Sequence, residues 1–183
     1  MQANRRKISV VTSCYNEEGN IEEYCERTAK VLASFPQYDY EIVIADNCSV
    51  DSTRQTLRAI ASRDPHVKVI LNARNVGPDR SSLNALLHAT GDAAVPMSSD
   101  LQDPPELIAS LINKWEEGYP VVAGIRTGSD ENAALSLLRR CYYRLLAQST
   151  EDSAIIENFT GFGLYDRKFL DALSLYRDPA PFF

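Results

Sequence analysis

Short apolar segments alternate with stretches of helical periodicity along this chain. The segments at residues 8–12, 40–45, 67–71, 93–97 and 119–125 are rich in β-branched and other apolar side chains, which is typical of strands. Each is separated from the next by enough residues for a helix that crosses from one strand to a parallel neighbour. The alternation therefore predicts an α/β fold with a mostly parallel central sheet flanked by helices.

Two of the predicted helices have clear start signals. Asn20 is followed three residues later by Glu23, which is the spacing of a capping box. Asp103 is followed by Pro104 and then by Glu106, so an acidic N-cap would precede a proline at the first helical position. The helices are predicted at about 20–32, 48–60, 80–90, 103–115 and 132–148.

The composition is that of an ordinary globular chain, and it excludes several classes of protein. Of the 183 residues, 44% are hydrophobic, and no apolar run approaches the roughly 20 residues that span a bilayer. The net charge of -6, from 19 basic and 25 acidic residues, argues against nucleic-acid binding, which needs a basic surface. The strand-like run that follows the first seven residues is too short for a signal peptide, so we expect none in this sequence. We expect one cytoplasmic domain, residues 1–183.

Four loops are the places to search for a site. In parallel α/β sheets, ligands bind outside the carboxyl ends of the strands. The residues that follow the first four predicted strands are rich in hydrogen-bonding side chains, and they lie at 13–17, 46–47, 72–75 and 98–103.

Several kinds of site are absent from the sequence. There is no GxGxxG after the first strand, no GxxxxGK[ST] loop and no HExxH segment. His66 and His88 lie far in sequence from Cys14, which argues against a histidine-activated nucleophile. The cysteines show no CxxC spacing and are predicted to be reduced packing residues: Cys14, Cys25, Cys48 and Cys141.

A nucleotide bound without a glycine-rich loop needs another way to neutralise its phosphates. A divalent cation, Mg²⁺ or Mn²⁺, does this with one or two carboxylates plus the phosphates themselves. Asp100 follows a strand directly, and Gln102 offers an amide oxygen on the same side of an extended segment. The alternative, which spacing alone leaves open, is that Asp100 and Asp103 cap the next helix.

Four ordered motifs resemble those of the family 2 inverting glycosyltransferases. They are the segments 10–18, 44–53, 74–77 and 99–106. The resemblance extends over roughly residues 7–175, and it is closest to the branch with dolichyl-phosphate mannose synthases and bacterial polyprenyl-phosphate glucosyltransferases. It implies a GT-A fold with a Rossmann-like nucleotide-binding half, a nucleotide-diphosphate sugar as donor and a divalent metal.

The resemblance also implies roles for individual residues. Asp46 matches the acid that reads the uracil or guanine edge, and Asn47 stands where many relatives have a second Asp. Arg74 and Asn75 match the loop that closes over the base and ribose. The positions that hold the nucleoside are matched by Ser13, Tyr15 and Glu17.

Two segments depart from the family pattern. The family has an acid where this chain has Ser98, ahead of Ser99 and the retained Asp100. A serine hydroxyl can bind a ribose or a metal-bound water, but it carries no charge, so we expect weaker metal affinity. In a later segment, an acid and an arginine of the better-known relatives align with Gly161 and Gly163. This departure favours either a different acceptor or weakened activity.

The implied reaction transfers a sugar, with inversion, from a nucleotide-diphosphate sugar to a polyprenyl phosphate. UDP-sugars are the favoured donors. The metal on Asp100 and Gln102 would neutralise the leaving diphosphate, and Arg126 would bind phosphate. Arginines of the last predicted helix could do the same or could be solvated: Arg139, Arg140 and Arg144.

Two alternatives remain open from the sequence. One is transfer to a saccharide hydroxyl, and the other is a catalytically weak nucleotide-sugar binding module. We expect the 183 residues to be part of a longer protein that associates with the cytoplasmic face of a membrane. The sequence leaves the oligomeric state open.

Overall fold

The computed structural model describes residues 5–125 and 159–175. The chain divides into two compact units, Met1–Ala123 with Gly161–Phe183 and, separately, Gly124–Thr160. The elements in chain order are β1 (Lys7–Cys14), α1 (Ile21–Ala33), β2 (Asp39–Asp46), α2 (Thr53–Arg63), β3 (Val67–Leu71), α3 (Pro78–Leu87), β4 (Ala93–Pro96), a 3-10 turn (Pro105–Leu107), α4 (Ile108–Glu116), β5 (Val121–Ile125), β6 (Phe159–Asp166) and α5 (Arg167–Leu175).

The six strands form one sheet in the order β3-β2-β1-β4-β6-β5. Strand β1 is parallel to β2 on one side and to β4 on the other, and β2 is parallel to β3. Strand β6 is antiparallel to β4. The predicted α/β class with a mostly parallel sheet is therefore confirmed.

The middle of strand β2 is apolar because both of its faces are buried. Ile42 and Ile44 of β2 belong to a core under α1, α2 and α4, whereas Val43 and Ala45 belong to a second core under α3 and α5. All four side chains are 0% exposed. A strand that is covered on both faces has a nearly continuous apolar run, as β2 has from Ile42 to Ala45.

The start of α1 lies where the sequence predicts it, but the predicted capping box is wrong. Asn20 occupies the N-cap position, and its side chain makes no capping hydrogen bond. Instead its Nδ2 donates to Glu17 Oε2 at 2.9 Å. The amide prefers this partner because Glu17 already holds the turn, through a carbonyl that accepts from the backbone N–H groups of Asn20 and Ile21.

The helix predicted from Asp103 begins later than expected. A 3-10 turn at Pro105–Leu107 precedes α4, and Pro104, not Asp103, is the N-cap of that turn. A residue before proline is disfavoured in the helical conformation. Pro104 therefore stays extended, with ψ 129°. The apolar face predicted for α4 is confirmed, since its buried residues are Ile108, Leu111, Ile112 and Trp115.

Strand β6 was not predicted, and its glycines explain one departure from the family pattern. Gly161 has φ 82°, a backbone conformation that side chains with a Cβ rarely adopt. A Cβ on Gly163 would lie 2.5 Å from the carbonyl oxygen of Val122. A side chain at position 161 would strain the backbone, and one at position 163 would clash with β5, so both positions favour glycine over an acid or an arginine. The helix predicted at 132–148 lies outside the described residues.

A buried ion pair stabilises the amino-end half of the sheet. Glu41 of β2 is 2% exposed, and it accepts hydrogen bonds from Lys68 Nζ at 2.5 Å, from Ser9 Oγ at 2.6 Å and from the Thr90 backbone N–H at 2.6 Å. Gly91 donates its N–H to Ser9 Oγ. Burial acts to raise the pKa of the Glu41 carboxyl, but these donors lower it to about 2.

Candidate functional site

The four predicted loops meet at one edge of the sheet. Their backbones continue the strand ladder there: Asn47 N–H donates to the carbonyl of Cys14, and Asn72 N–H donates to that of Asp46. Strand β1 lies between β2 and β4, so the direction of winding reverses between β1 and β4. Such a reversal is where open α/β sheets bind ligands. We call the segments 15–20, 47–52, 72–77 and 97–104 the carboxyl-end loops.

The first two carboxyl-end loops are joined by side chains that bind backbone groups. Ser49 Oγ accepts from Asn16 N–H at 2.9 Å, and Asn16 Oδ1 accepts from Val50 N–H at 2.9 Å. Thr53 Oγ1 accepts from Glu17 N–H at 2.8 Å. These bonds satisfy donors that would otherwise lack a partner, and they hold the two loops in one conformation.

Backbone strain is concentrated in the same loops. Within the described residues, the non-glycine positions with positive φ are Asn16 at 58°, Cys48 at 68° and Leu101 at 61°. Asn tolerates this conformation, but for other residues it costs about 1–2 kcal/mol each. Strain of this kind is typical of functional sites, where the surrounding structure enforces it.

Asp46 is turned into the protein. Its carboxylate is 0% exposed, and it accepts from the backbone N–H groups of Cys48 at 3.2 Å and Ser49 at 3.2 and 3.3 Å. Arg54 Nε adds an ion pair at 2.5 Å, and Arg54 Nη2 also donates to the Asn72 carbonyl at 2.6 Å. The carboxylate therefore already has three partners within the protein. The recognition of a base by Asp46 stays a prediction.

Arg54 was not among the predicted site residues, although the sequence contains a signal for it. Arg54 lies in the first turn of α2, where the partial positive charge of a helix N-terminus disfavours a cation. An arginine at this position needs an anionic partner. Asp46, at the end of β2, is the nearest preceding acid whose side chain is buried. The hydrogen bond to Asp46 is the largest cause that raises the pKa of Arg54.

Asn47 holds the third carboxyl-end loop. Its Nδ2 donates to Asn75 Oδ1 at 3.0 Å, and its Oδ1 accepts from Val76 N–H at 2.9 Å and from Asn72 Nδ2 at 3.4 Å. Asn75 Oδ1 also accepts from Gly77 N–H. A carboxylate at position 47 could accept but not donate. The amide that replaces the family's second Asp is therefore matched to this loop.

The other residues predicted to hold the nucleoside differ in exposure. Tyr15 is 44% exposed, and Arg74 is exposed without a hydrogen bond or ion pair to another described residue. Ser13 and Glu17 are partly buried. The carbonyl of Ser13 accepts from Ser99 Oγ at 3.5 Å, which links the ends of β1 and β4. These groups are brought to one edge, and their contact with a nucleotide stays a prediction.

The segment after β4 presents the predicted metal ligands. Ser98 and Gln102 are exposed, Asp100 is partly buried and Ser99 is 2% exposed. Asp100 Oδ1 accepts from the Gln102 backbone N–H at 3.1 Å, so it forms a local turn and does not bind the helix that follows. This bond leaves its second carboxylate oxygen for another partner.

A divalent cation fits these residues only with help from its ligand. In the described part of the chain, no three His, Cys, Asp or Glu side chains are grouped to hold a metal. The segment offers the carboxylate of Asp100 and the amide of Gln102, which are hard oxygen donors of the type that Mg²⁺ takes beside substrate phosphates. The predicted phosphate ligand Arg126, like Arg139, Arg140 and Arg144, lies outside the described residues.

The buried cysteines are not nucleophiles. Cys14 is 2% exposed at the end of β1, and Cys25 is 5% exposed in α1. Burial, the largest cause, raises the pKa of each thiol to about 12. Both are free thiols, as predicted, and neither forms a thiolate near neutral pH.

A surface cavity lies elsewhere, between α1 and α2. None of its lining residues belongs to the carboxyl-end loops, so the cavity is separate from the candidate site. Its lining is formed by Glu22, Cys25, Glu26, Ala29, Ile60, Arg63 and Asp64. None of the helices in the described ranges is both long and apolar enough to span a bilayer.

Comparison with known proteins identifies the family to which this chain is similar. The model of a family described as glycosyl transferase family 2 matches residues 9–174. An uncharacterized glycosyltransferase of Bacillus subtilis, YkcC, is 36% identical over 178 residues, which cover 96% of this chain and 54% of that protein. A prophage bactoprenol glucosyl transferase homolog of Escherichia coli is 32% identical over 92% of this chain and 55% of its own length.

Two further proteins extend the comparison. The undecaprenyl-phosphate 4-deoxy-4-formamido-L-arabinose transferase of Klebsiella pneumoniae is 31% identical over 92% of this chain and 51% of its own length. The solved mannosyltransferase PcManGT of Pyrobaculum calidifontis, in complex with GDP-Man and Mn²⁺, superposes with a TM-score of 0.62 at 23% identity, over 92% of this chain and 47% of that one. At this identity the likeness shows the fold. The chain spans about half the length of the curated relatives it matches.

Proposed function

Because the chain belongs to glycosyl transferase family 2, as its motifs predicted, we propose that it moves a sugar from a nucleotide-diphosphate sugar to a polyprenyl phosphate, with inversion at the anomeric carbon. UDP-sugars are the favoured donors. Support for the lipid acceptor comes from relatives named as bactoprenol and undecaprenyl-phosphate transferases.

One observation carries the proposal: Asp100 lies at the reversal of winding between β1 and β4. This is the edge at which parallel α/β sheets bind their ligands. The carboxylate follows β4 by a few residues, and Ser99 beside it is bonded to the end of β1. A ligand at this edge would meet the loops after β1, β2 and β3 as well, and these loops contain the motifs of the family.

The donor's diphosphate would lie against the segment after β4. Asp100 and Gln102 would hold the divalent cation, Mg²⁺ or Mn²⁺, which when bound supplies positive charge for the leaving nucleoside diphosphate. Ser98 is exposed beside them and offers a hydroxyl to the ribose or to a water. Because Asp100 is the one acid of this segment that is retained ahead of Gln102, most of the metal affinity would depend on it.

The nucleoside would lie across the loops after β1, β2 and β3. Tyr15 and Arg74 are exposed there, and their side chains are available to a base or a ribose. Asn47 and Asn75 would act by fixing the shape of the third loop, since their amides bind one another. Ser13 and Glu17 complete the proposed set, and the buried Asp46 would act through the groups that it holds.

The acceptor determines which chemistry the chain must supply. A lipid phosphate is already anionic near neutral pH, so its oxygen attacks without a strong general base. A saccharide hydroxyl would need such a base. Arg126 is proposed as a phosphate ligand for acceptor or donor. The whole protein would work at the cytoplasmic face of a membrane, where its acceptor lies.

A second candidate is a nucleotide-sugar binding module without transfer activity. The observation that favours it is the single carboxylate, Asp100, at the positions of the metal motif, where Ser98 replaces the first acid. With one charge fewer, the site binds a metal less tightly unless the diphosphate supplies the missing ligands. Binding would then persist while transfer is lost.

The test is a transfer assay with a panel of radiolabelled nucleotide sugars, Mn²⁺ and vesicles that contain undecaprenyl phosphate. We expect label in the lipid fraction for the wild-type protein and at least about a 100-fold lower rate for Asp100→Ala. The matched control is Asp39→Ala, which removes an exposed carboxylate at the opposite end of the sheet.

Each other outcome of this assay contradicts part of the proposal. Label in an added saccharide instead of the lipid would overturn the acceptor. Binding of donor without transfer or hydrolysis would establish the binding module. Equal rates in Asp100→Ala and Asp39→Ala would overturn the assignment of the site.

A further inference from the structure

Because Asp46 and Arg54 form an ion pair, Arg54 and not Asp46 has groups that are free to bind a base. A carboxylate recognises a base by accepting from its N–H groups. The Asp46 carboxylate is 0% exposed and already accepts from two backbone N–H groups and from Arg54. It therefore has no free edge toward the carboxyl-end loops.

Arg54 is in the opposite situation. A guanidinium has five N–H donors, and two bonds hold it in place, from Nε to Asp46 and from Nη2 to the Asn72 carbonyl. Its side chain is 32% exposed, and no other described residue accepts from its remaining donors. The result is a fixed cation at the ends of β2 and β3 with donors left over.

We propose that Arg54 is a specificity-determining residue of the nucleoside site and selects bases that present a carbonyl oxygen. The inference rests on the proposed function, because it assumes that a nucleoside lies at the carboxyl-end loops. In this arrangement Asp46 is a positioning residue: it orients the guanidinium and acts on the base through it.

The chemistry predicts a definite pattern of selection. Uracil and cytosine differ at C4, where uracil has a carbonyl oxygen and cytosine an amino group. Guanine and adenine differ in the same way at C6. An arginine donor pairs with the oxygen of uracil or guanine, whereas the amino group of cytosine or adenine places a donor against a donor. The site therefore accepts keto bases and rejects amino bases.

The experiment is calorimetric titration of UDP, CDP, GDP and ADP, each with Mn²⁺, into the wild-type protein and variants. For the favoured keto nucleotide, we expect the wild type to bind at least about tenfold more tightly than its amino partner, since one partner of a charged hydrogen bond is lost. Arg54→Gln, whose amide both donates and accepts, should reduce this ratio to about threefold or less. The matched control is Arg58→Gln, one turn further along α2 and exposed, which should keep the ratio.

The ratio separates specificity from a structural role. A loosened loop weakens the binding of both nucleotides of a pair alike, so it leaves their ratio unchanged. Arg54→Lys keeps the charge but not the planar fork, and we expect an intermediate ratio. If Arg54→Gln does not fold, the double variant Asp46→Asn/Arg54→Gln removes both charges together and should show the same lowered ratio.

Three results would overturn the proposal. A ratio near one in the wild type would show that no such selection exists, while the proposed function would stand. An unchanged ratio in Arg54→Gln and in the double variant would assign base reading to another residue. Absence of binding by the wild type to all four nucleotides would remove the nucleoside site itself, and the proposed function with it.

Discussion

Strand β2 carries two buried carboxylates, one in each half, and each is paired with a cation. Glu41 binds Lys68 of β3, and Asp46 binds Arg54 of α2. The carboxylates are 2% and 0% exposed. In both pairs a buried carboxylate binds a partly exposed cation, but the backbone around the two pairs differs.

The backbone conformation around each ion pair indicates the role of that pair. The other partners of Glu41 are Ser9 and Thr90, and their hydrogen bonds lie within regular strands or a short turn before β4. The other partners of Asp46 are Cys48 and Ser49, which lie in a loop where Cys48 has φ 68°. We infer that the ion pair within regular backbone serves stability, and we propose that the one beside strained, partly exposed loops supports binding.

The largest effect that we predict from this comparison is on stability, at the Glu41 end. Glu41→Ala leaves Ser9 Oγ, Thr90 N–H and Lys68 Nζ without their acceptor. We expect the free energy of unfolding to fall by about 3 kcal/mol. Urea denaturation followed by circular dichroism measures it. Glu41→Gln, which keeps one acceptor oxygen, should cost less.

Nucleotide binding is the control for this variant. At a temperature where Glu41→Ala is folded, its affinity for UDP with Mn²⁺ should equal that of the wild type. A folded Glu41→Ala that had lost UDP binding would show that the two ends of β2 do not act separately, and the comparison would fail.

The second prediction concerns the loss of folding stability at acid pH. Glu41 has a pKa of about 2 in the folded protein, against 4.5 as its ordinary value. A lowered folded pKa gives stability that is present above pH 4.5 and is lost as the pH falls toward 2. We expect this group to account for roughly 2 kcal/mol of the loss. The stability difference between wild type and Glu41→Gln should therefore shrink over that range, and a constant difference would contradict it.

The smallest effect is expected at the Asp46 end. Asn47→Asp removes the donor to Asn75 and places a charge in a buried amide network. We expect a loss of about 1 kcal/mol in the free energy of unfolding together with weaker UDP binding. Asn113→Asp, on the exposed face of α4, is the matched control and should change neither. Unaltered UDP binding in Asn47→Asp would show that the third loop is not held by this amide.

The sequence predicted the part of the fold that depends on local pattern. Strand β3 has the predicted bounds, and β1 and β2 extend the predicted segments by one to a few residues at each end. Strand β6 was missed because its glycines lack strand propensity. Gly163 is required by the close approach of β5, and a sequence pattern does not contain that packing.

The site was predictable to the level of loops but not of contacts. The motifs placed Asp46, Asn47 and Asp100 correctly at the ends of strands, since strand ends follow from apolar periodicity. Asp46 pairs with Arg54 across a loop of strained backbone, and the spacing of the motifs does not predict this pair. For the same reason, the hydrogen bond between Asn47 and Asn75 is not predictable from the motifs.

The most direct test of the account is the metal dependence of nucleotide binding. Calorimetry of UDP with the wild-type protein, with and without Mn²⁺, should show binding that is at least about tenfold tighter with the metal, because Asp100 and Gln102 need it to hold the diphosphate. Asp100→Ala should bind UDP equally weakly in both conditions. Binding that is independent of Mn²⁺ in both proteins would contradict the central claim, that the carboxyl-end loops with Asp100 form a metal-assisted nucleotide site.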